Sequence, residues 1–275
     1  MTTLTMSLPP ARGRAGLKGA LGSEWTKILS VRSTIWSIVA MAGIAIGLNA
    51  LINYFAIVRD WDRNPPDVQA AIQQNALEYI FSGPMSVAQF GVAVIGVLAI
   101  SSEYATGMIR STLQSQPRRG VVLAAKVLAL GALMLVVGPV LTFGGFLVGK
   151  SIIADQVSIS LSDEGVLRVV AGAGLYLTVL ALFCLALGTL IRHTAGGLAS
   201  VLGLILLISN LTGLLPGTWG KYVNAYMPTN AGSQILERYA IPNAVLSPWQ
   251  GLGVFAAETA VLLLAAWYLL RRRDV

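Results

Sequence analysis

This 275-residue sequence carries little charge: 19 Lys and Arg with 12 Asp and Glu make up only 11% of it. A soluble domain carries about 25%. Hydrophobic residues reach 55%, and the mean hydropathy is +0.72. A water-soluble fold of this length cannot hide that much apolar surface, because part of every globule faces water. The shortage of charge therefore excludes a soluble enzyme and equally a disordered chain. Cysteine occurs once, as Cys184 in an apolar run, so no internal disulfide forms. Histidine also occurs once, as His193, with no Cys/His cluster around it. Zinc, haem and thiol chemistry thus lack a ligand set, and no metal site is expected.

What the sequence does contain is long apolar runs. A bilayer core takes about 20 apolar residues as a helix. Six runs qualify, near 34–57, 79–100, 121–149, 169–191, 195–215 and 252–270. The expected fold is an all-α integral membrane protein, with a cytoplasmic tail over 1–33 and one six-span membrane domain over 34–275. The first span, at 24 residues, is too long for a cleavable signal, so it is expected to remain in the mature protein. Residues 1–137 and 138–275 show no internal repeat.

The segments between the runs differ in sign. The tail 1–33, the stretch 101–120 taken with Lys126, Arg192, and the terminal Arg271, Arg272 and Arg273 hold 13 basic residues against three acids. The segments 58–78, 150–168 and 216–251 hold six basic residues against eight acids. The positive-inside rule puts the first set, and with it both termini, on the cytoplasmic side of the cell membrane. The net charge of +7 is accounted for by topology, and no nucleic-acid partner is expected.

Residues 144–151 read Gly-Gly-Phe-Leu-Val-Gly-Lys-Ser and match a phosphate-binding loop letter for letter. That loop works between a strand and a helix. Here the preceding residues belong to a span, and Phe146, Leu147 and Val148 suit lipid. A glycine-rich helix end with Lys150 as an anchor is the expectation.

Two basic-side segments are more than loops. Over 17–33, Leu17, Leu21, Trp25, Ile28 and Leu29 share one helical arc, which predicts an interfacial amphipathic helix. Glu24 falls inside that apolar arc. It either snorkels or caps, or it pairs with a cation from the next basic segment. Over 101–119, Ser101 or Ser102 is expected to cap a short amphipathic helix with Glu103 in its first turn. Glu103, Gly107, Arg110 and Ser111 then share a polar face. Ala105, Met108, Ile109 and Leu113 lie opposite, and Pro117 ends the helix. Such a helix suits docking to a cytosolic partner; a solvated linker whose basic residues only set topology is the plainer alternative.

These segments carry a family likeness. Ser23-Glu24-Trp25-Thr26-Lys27 resembles the Ser-Glu-x-x-Lys start of permeases of the type-2 ATP-binding cassette (ABC) exporters. Glu103, Thr106-Gly107, Arg110, Leu113, Pro117, Arg118-Arg119 and Lys126 are similar in order and spacing to the stretch after their second span. One departure is that no spacer separates Pro117 from Arg118. The likeness covers nearly the whole chain in architecture and about 40 residues in motif. It implies a non-catalytic permease subunit that pairs with a second six-span subunit, identical or not. ATP and magnesium would bind ABC ATPase subunits beneath it, and this chain would hold no cofactor. The helix containing Glu103, Gly107, Arg110 and Leu113, with Arg118 and Arg119 beyond it, would be the coupling helix. Glu24, Trp25 and Lys27 would lie on a connecting helix. The resemblance also implies short re-entrant helices before the last span, with 233–239 as one.

Polar groups inside spans are candidates for function. Glu258 either handles a substrate or proton, or makes a structural hydrogen bond to Asn210, Thr212 or a serine. Asn49 and Asn53, four residues apart, either line a path or join helices. Gly43-x-x-x-Gly47 permits close helix approach, and Pro139 is expected to kink the third span. The rival function is an ion-coupled secondary carrier built on Glu258, which would normally show inverted repeats and several midplane polar groups. An intramembrane hydrolase would need a nucleophile–base constellation that His193 has no partner to form.

Overall fold

Helix is the only regular structure among the described residues, which in this computed structural model are 16–30, 32–239 and 242–272, less the side chains of Ser33, Thr34 and Ser82. Arg12, Arg14, Arg273 and Asp274, part of the charge asymmetry, lie outside them. Six helical stretches are long and apolar enough to cross a membrane, the mark of a multi-pass membrane protein. In hydrocarbon a helix satisfies its own backbone groups, which is why these apolar runs take no other form.

The N-terminal helix α1 spans Leu17–Ser30. Span 1 is α2, Arg32–Asn53, extended by a π-turn through Tyr54–Val58. A short helix α3, Pro66–Gln74, starts on a proline at its first position, where no N–H is needed. Span 2 is α4, Ala76–Ala105; α5, Met108–Ser115, follows it. Span 3 is α6, Arg119–Ile152, and span 4 is α7, Val166–Ile191. Span 5 joins α8, Thr194–Gly203, through a π-turn to α9, Ser209–Thr212. Two short helices follow, α10 over Gly217–Ala225 and α11 over Pro228–Ser233. Span 6 is α12, Pro248–Arg272. At 1.5 Å per residue α6 is about 50 Å long. That exceeds a hydrocarbon core of about 30 Å, so the ends of α6 reach the headgroup level.

The centre of the bundle is α7. Val169, Ala173, Tyr176, Leu177, Leu180, Ala181, Cys184 and Leu185 on it are all fully buried. Small residues let its neighbours in: a Cβ on Gly138 would sit 2.6 Å from the carbonyl of Gly174, so α6 and α7 touch backbone to backbone there. Lipid tails are as apolar as leucine, so such close packing and interhelical hydrogen bonds, rather than the hydrophobic effect, hold spans together. Tyr176 illustrates the second device. Its ring packs against Phe255 of α12, and its hydroxyl donates to Oε1 of Gln89 on α4 at 2.9 Å.

The glycines of 144–151 lie within α6, not in a loop. Gly149 is tight because a Cβ there would press on Ile80 at 2.8 Å, which explains the glycine-rich helix end. Gly43 and Gly47 have open space within 4 Å, so that pair marks no helix crossing inside this chain. The helix expected over 233–239 is absent. The chain is helical earlier, in α11, passes through a single 3-10 turn at Gln234–Leu236, and becomes extended at Glu237. Here Arg168 donates to the carbonyls of Glu237 and Arg238 at 2.8 and 2.9 Å, pinning that strand-like stretch to the start of α7.

Candidate functional site

At one end of the bundle four charged side chains meet. Lys126 of α6 donates from Nζ to Glu24 Oε2 at 2.9 Å and to Glu103 Oε1 at 2.7 Å. Its third donor reaches the carbonyl of Ala99 at 3.1 Å. Lys27 donates to Glu24 Oε1 and Glu103 Oε1, each at 2.8 Å. The side chains of Lys126 and Glu103 are 2% and 3% exposed, that of Glu24 10% and that of Lys27 29%. Two ammoniums face two carboxylates, so the quartet is neutral overall. An isolated buried charge would cost several kcal/mol, and only this mutual pairing makes the burial tolerable. Burial disfavours the Lys27 ammonium, but the hydrogen bonds and charges of Glu103 and Glu24 outweigh it and hold the group above the usual lysine range.

The quartet ties three elements into one body. Glu24 and Lys27 sit a turn apart on α1, Glu103 ends α4, and Lys126 lies two turns into α6. Of the two fates open to Glu24, the structure shows pairing, and Lys126 supplies the cation. Trp25, beside it in sequence, points away and is exposed, as are Leu17 and Leu29.

Glu103 occupies a different place from the one its sequence suggests. No helix starts at Ser101 or Ser102; α4 runs on to Ala105, and Ser101 is buried. The break comes at Gly107, whose φ of 72° lies in the left-handed region that side chains disfavour. The following helix α5 carries Arg110 and Leu113 but not Glu103. Glu103 is turned inward against this chain's own lysines, so it offers no carboxylate to an external cation. In α5 Ile109 is buried at 3%, while Met108 and Arg110 are exposed and Leu113 is half-buried. A cleft of about 360 Å³ lies between Tyr104, Gly107, Ile109, Arg110 and Arg192. Arg118 is the exposed residue just before α6; Arg119 opens α6 and donates from Nη1 to the carbonyl of Leu270 at 3.0 Å.

The other predicted polar sites separate. Asn49 is fully buried and donates to the carbonyl of Gly145 at 2.6 Å; Asn53, also fully buried, donates to Asn49 Oδ1 at 2.5 Å. Of the two roles considered for them, this is the joining one: the pair clamps α2 to α6. Glu258 of α12 is half-buried, and its Oε2 has no hydrogen-bond partner. The structural bond to Asn210 or Thr212 does not form. Asn210 gives its amide to Leu206, and Thr212 pairs with Ser209 and Asn224. His193 accepts from the Gly196 N–H at 3.1 Å and so caps α8. No group of metal-ligating residues occurs among the described residues.

Sequence reasoning missed the polar joint at the far end of the bundle. There Asn230 donates to Asn224 Oδ1 at 2.7 Å, Thr212 donates to the same atom at 2.9 Å, and Ser209 meets Thr229 hydroxyl to hydroxyl. A density of Asn, Ser and Thr between 209 and 230 is the only signal for it in the sequence. A cavity of about 530 Å³ opens between the start of α4 and the residues Leu236, Glu237, Arg238, Tyr239 and Pro242, with Glu78 and Glu237 on its wall. Burial, and then the charge of Glu78, hold Glu237 above the usual carboxylate range. No family model and no curated protein sequence matches this chain.

Proposed function

We propose that this chain is the membrane-spanning permease subunit of an ATP-driven ABC exporter, paired with a second six-span subunit and driven by separate ATPase subunits. The observation that carries the reading is the Glu24–Lys27–Glu103–Lys126 quartet. It fuses α1 to the ends of spans 2 and 3 at the basic end of the bundle, immediately beside the exposed helix α5. A push on α5 or α1 would then move spans 2 and 3 as a unit, which is what coupling to a cytosolic motor requires. In this reading α1 is an interfacial connecting helix with Leu17, Trp25 and Leu29 toward lipid, and α5 is the coupling helix. Both termini are cytoplasmic. Arg110 and Leu113 would face the ATPase, while Glu103 and Gly107 set the position and angle of the joint. The 530 Å³ cavity at the opposite end would lie on the outer side.

The test is purification of the tagged chain from its native membranes, followed by reconstitution with whatever co-purifies. An ATPase that co-purifies, and whose hydrolysis drives solute movement in liposomes, supports the proposal. One observation favours a second reading. The unpartnered carboxylate oxygen of Glu258 on span 6 would suit an ion-coupled carrier. In that case transport would follow an imposed proton or sodium gradient without ATP and would be abolished by Glu258→Gln.

A further inference from the structure

A second feature of the basic end is a cleft of about 490 Å³ between the start of α6 and the end of α12. Its wall is made by Pro117, Arg118, Arg119, Gly120 and Val121 from one side and Trp267 and Arg271 from the other. Among the described residues three guanidiniums line it and no carboxylate does. The volume is in the range of small-ligand sites, roughly 300–1,000 Å³. The positive end of α6, a 34-residue helix, points at the same space and adds to the attraction for an anion.

The cleft is held open by specific contacts. Arg119 is fixed by its bond to the Leu270 carbonyl, 3.0 Å away. Arg271 lies 4.3 Å over the Trp267 ring. Stacking occupies the face of the guanidinium and leaves its in-plane N–H donors for another partner. Gly120 is needed for this arrangement, since a Cβ there would overlap Nε1 of Trp267. The indole of Trp267 can therefore come up against the α6 backbone at Gly120. The site also sits at the level where apolar spans give way to charge: the apolar run of α12 ends at Leu270, and Arg271 and Arg272 follow. Trp267 has the place of an interfacial belt residue.

We infer that this cleft binds the phosphate of an anionic phospholipid, with Arg118 and Arg271 as its donors. The lipid's acyl chains would run down the lipid-exposed groove between spans 3 and 6. A headgroup that carries a net negative charge is selected over a zwitterionic one, because each basic residue near the surface is worth about fivefold in affinity toward anionic lipid. The inference does not depend on the exporter reading, since it needs no ATPase and no transport.

The experiment is native mass spectrometry of the full chain in detergent. Phosphatidylglycerol and phosphatidylcholine of identical acyl chains are offered in competition, and inorganic phosphate is offered alone in a separate arm. The chain should retain phosphatidylglycerol in preference to phosphatidylcholine. The double variant Arg118→Gln/Arg271→Gln should lose that preference by about twenty-five-fold, at about fivefold for each charge. Arg59→Gln/Arg63→Gln, the same charge change at the other end of the bundle, should leave it intact. Gly120→Ala should weaken retention with no change in charge, because Trp267 must move. That variant keeps the test valid if the double variant does not fold. Equal retention of the two lipids by the wild-type chain overturns the inference. So does wild-type retention in both the double variant and Gly120→Ala. Saturable inorganic phosphate without a lipid preference assigns the cleft to a free phosphoanion and overturns it as well.

Discussion

Replacing Lys126 by methionine tests whether the buried quartet holds the bundle together. Lys126 spends its three donors on Glu24, Glu103 and Ala99 at 2.9, 2.7 and 3.1 Å. Methionine keeps the length of the side chain and removes all three bonds. Two carboxylates then share one cation, Lys27, which is partly solvated at 29% exposure. Removing one partner of a buried pair typically costs about 3–5 kcal/mol. For a chain of this size that corresponds to a fall of roughly 10 °C in melting temperature. Glu103→Gln alone should be costly for the mirror-image reason, since it strips both lysines of their shared counter-charge. The double variant Glu103→Gln/Lys126→Met leaves the neutral Glu24–Lys27 pair. It should therefore recover part of the loss, with an interaction energy of about 2 kcal/mol. The assay is thermal unfolding of the detergent-solubilised chain, followed by tryptophan fluorescence, for the four members of the cycle. Additive losses, or a Lys126→Met shift of a degree or two, would refute the claim that these charges are coupled inside a dry joint.

Three further outcomes are expected. Gly107→Ala should lower stability by about 1 kcal/mol, because its φ is left-handed while the space around it is open; Gly107→Asn should cost less, and chemical unfolding separates the two. Asn49→Ala should cost about 1–3 kcal/mol, since it removes the interhelical bond to the buried Gly145 carbonyl and leaves the Asn53 amide only the Asn49 backbone carbonyl, and a melt of the purified variant measures it. The Lys27 contribution has a defined pH limb. Its folded pKa lies above the ordinary 10.5, so the stabilisation is complete below pH 10.5 and is lost as pH rises through the folded value. A Lys27→Met chain should therefore lose less stability than the wild type on moving from pH 9 to pH 12.

The six spans were legible because their signal is one-dimensional: length and apolarity decide them, and the helix boundaries fall within several residues of the runs. That 17–30 is helical was legible too, but which side of α1 packs inward was not: Glu24 is buried while Trp25 and Leu29 stay exposed. What the sequence hid was the partner. Lys126 reads as one more topology-setting lysine, and nothing in the order of residues says that α1 folds back beside α6. Glu103 was misplaced because Ser101, Ser102 and Glu103 look like a helix start. The stronger signal was Thr106-Gly107, a helix stop of the left-handed kind. Buried polar joints such as Tyr176–Gln89, 87 residues apart, leave no periodic trace. The isolation of Glu258 was likewise invisible, because the bonds that occupy Asn210 and Thr212 are internal to their own neighbourhood.

The central claim is that an ATPase docks at the end of the bundle that carries α5. Photo-crosslinking in native membranes tests it most directly, with the crosslinker placed in turn at positions 110 and 113 of α5 and at positions 61 and 219 at the far end. The account predicts that positions 110 and 113 capture a cytosolic ATPase chain bearing its own phosphate loop, and that positions 61 and 219 do not. Capture of no ATPase from α5, or capture from the far end, would contradict it.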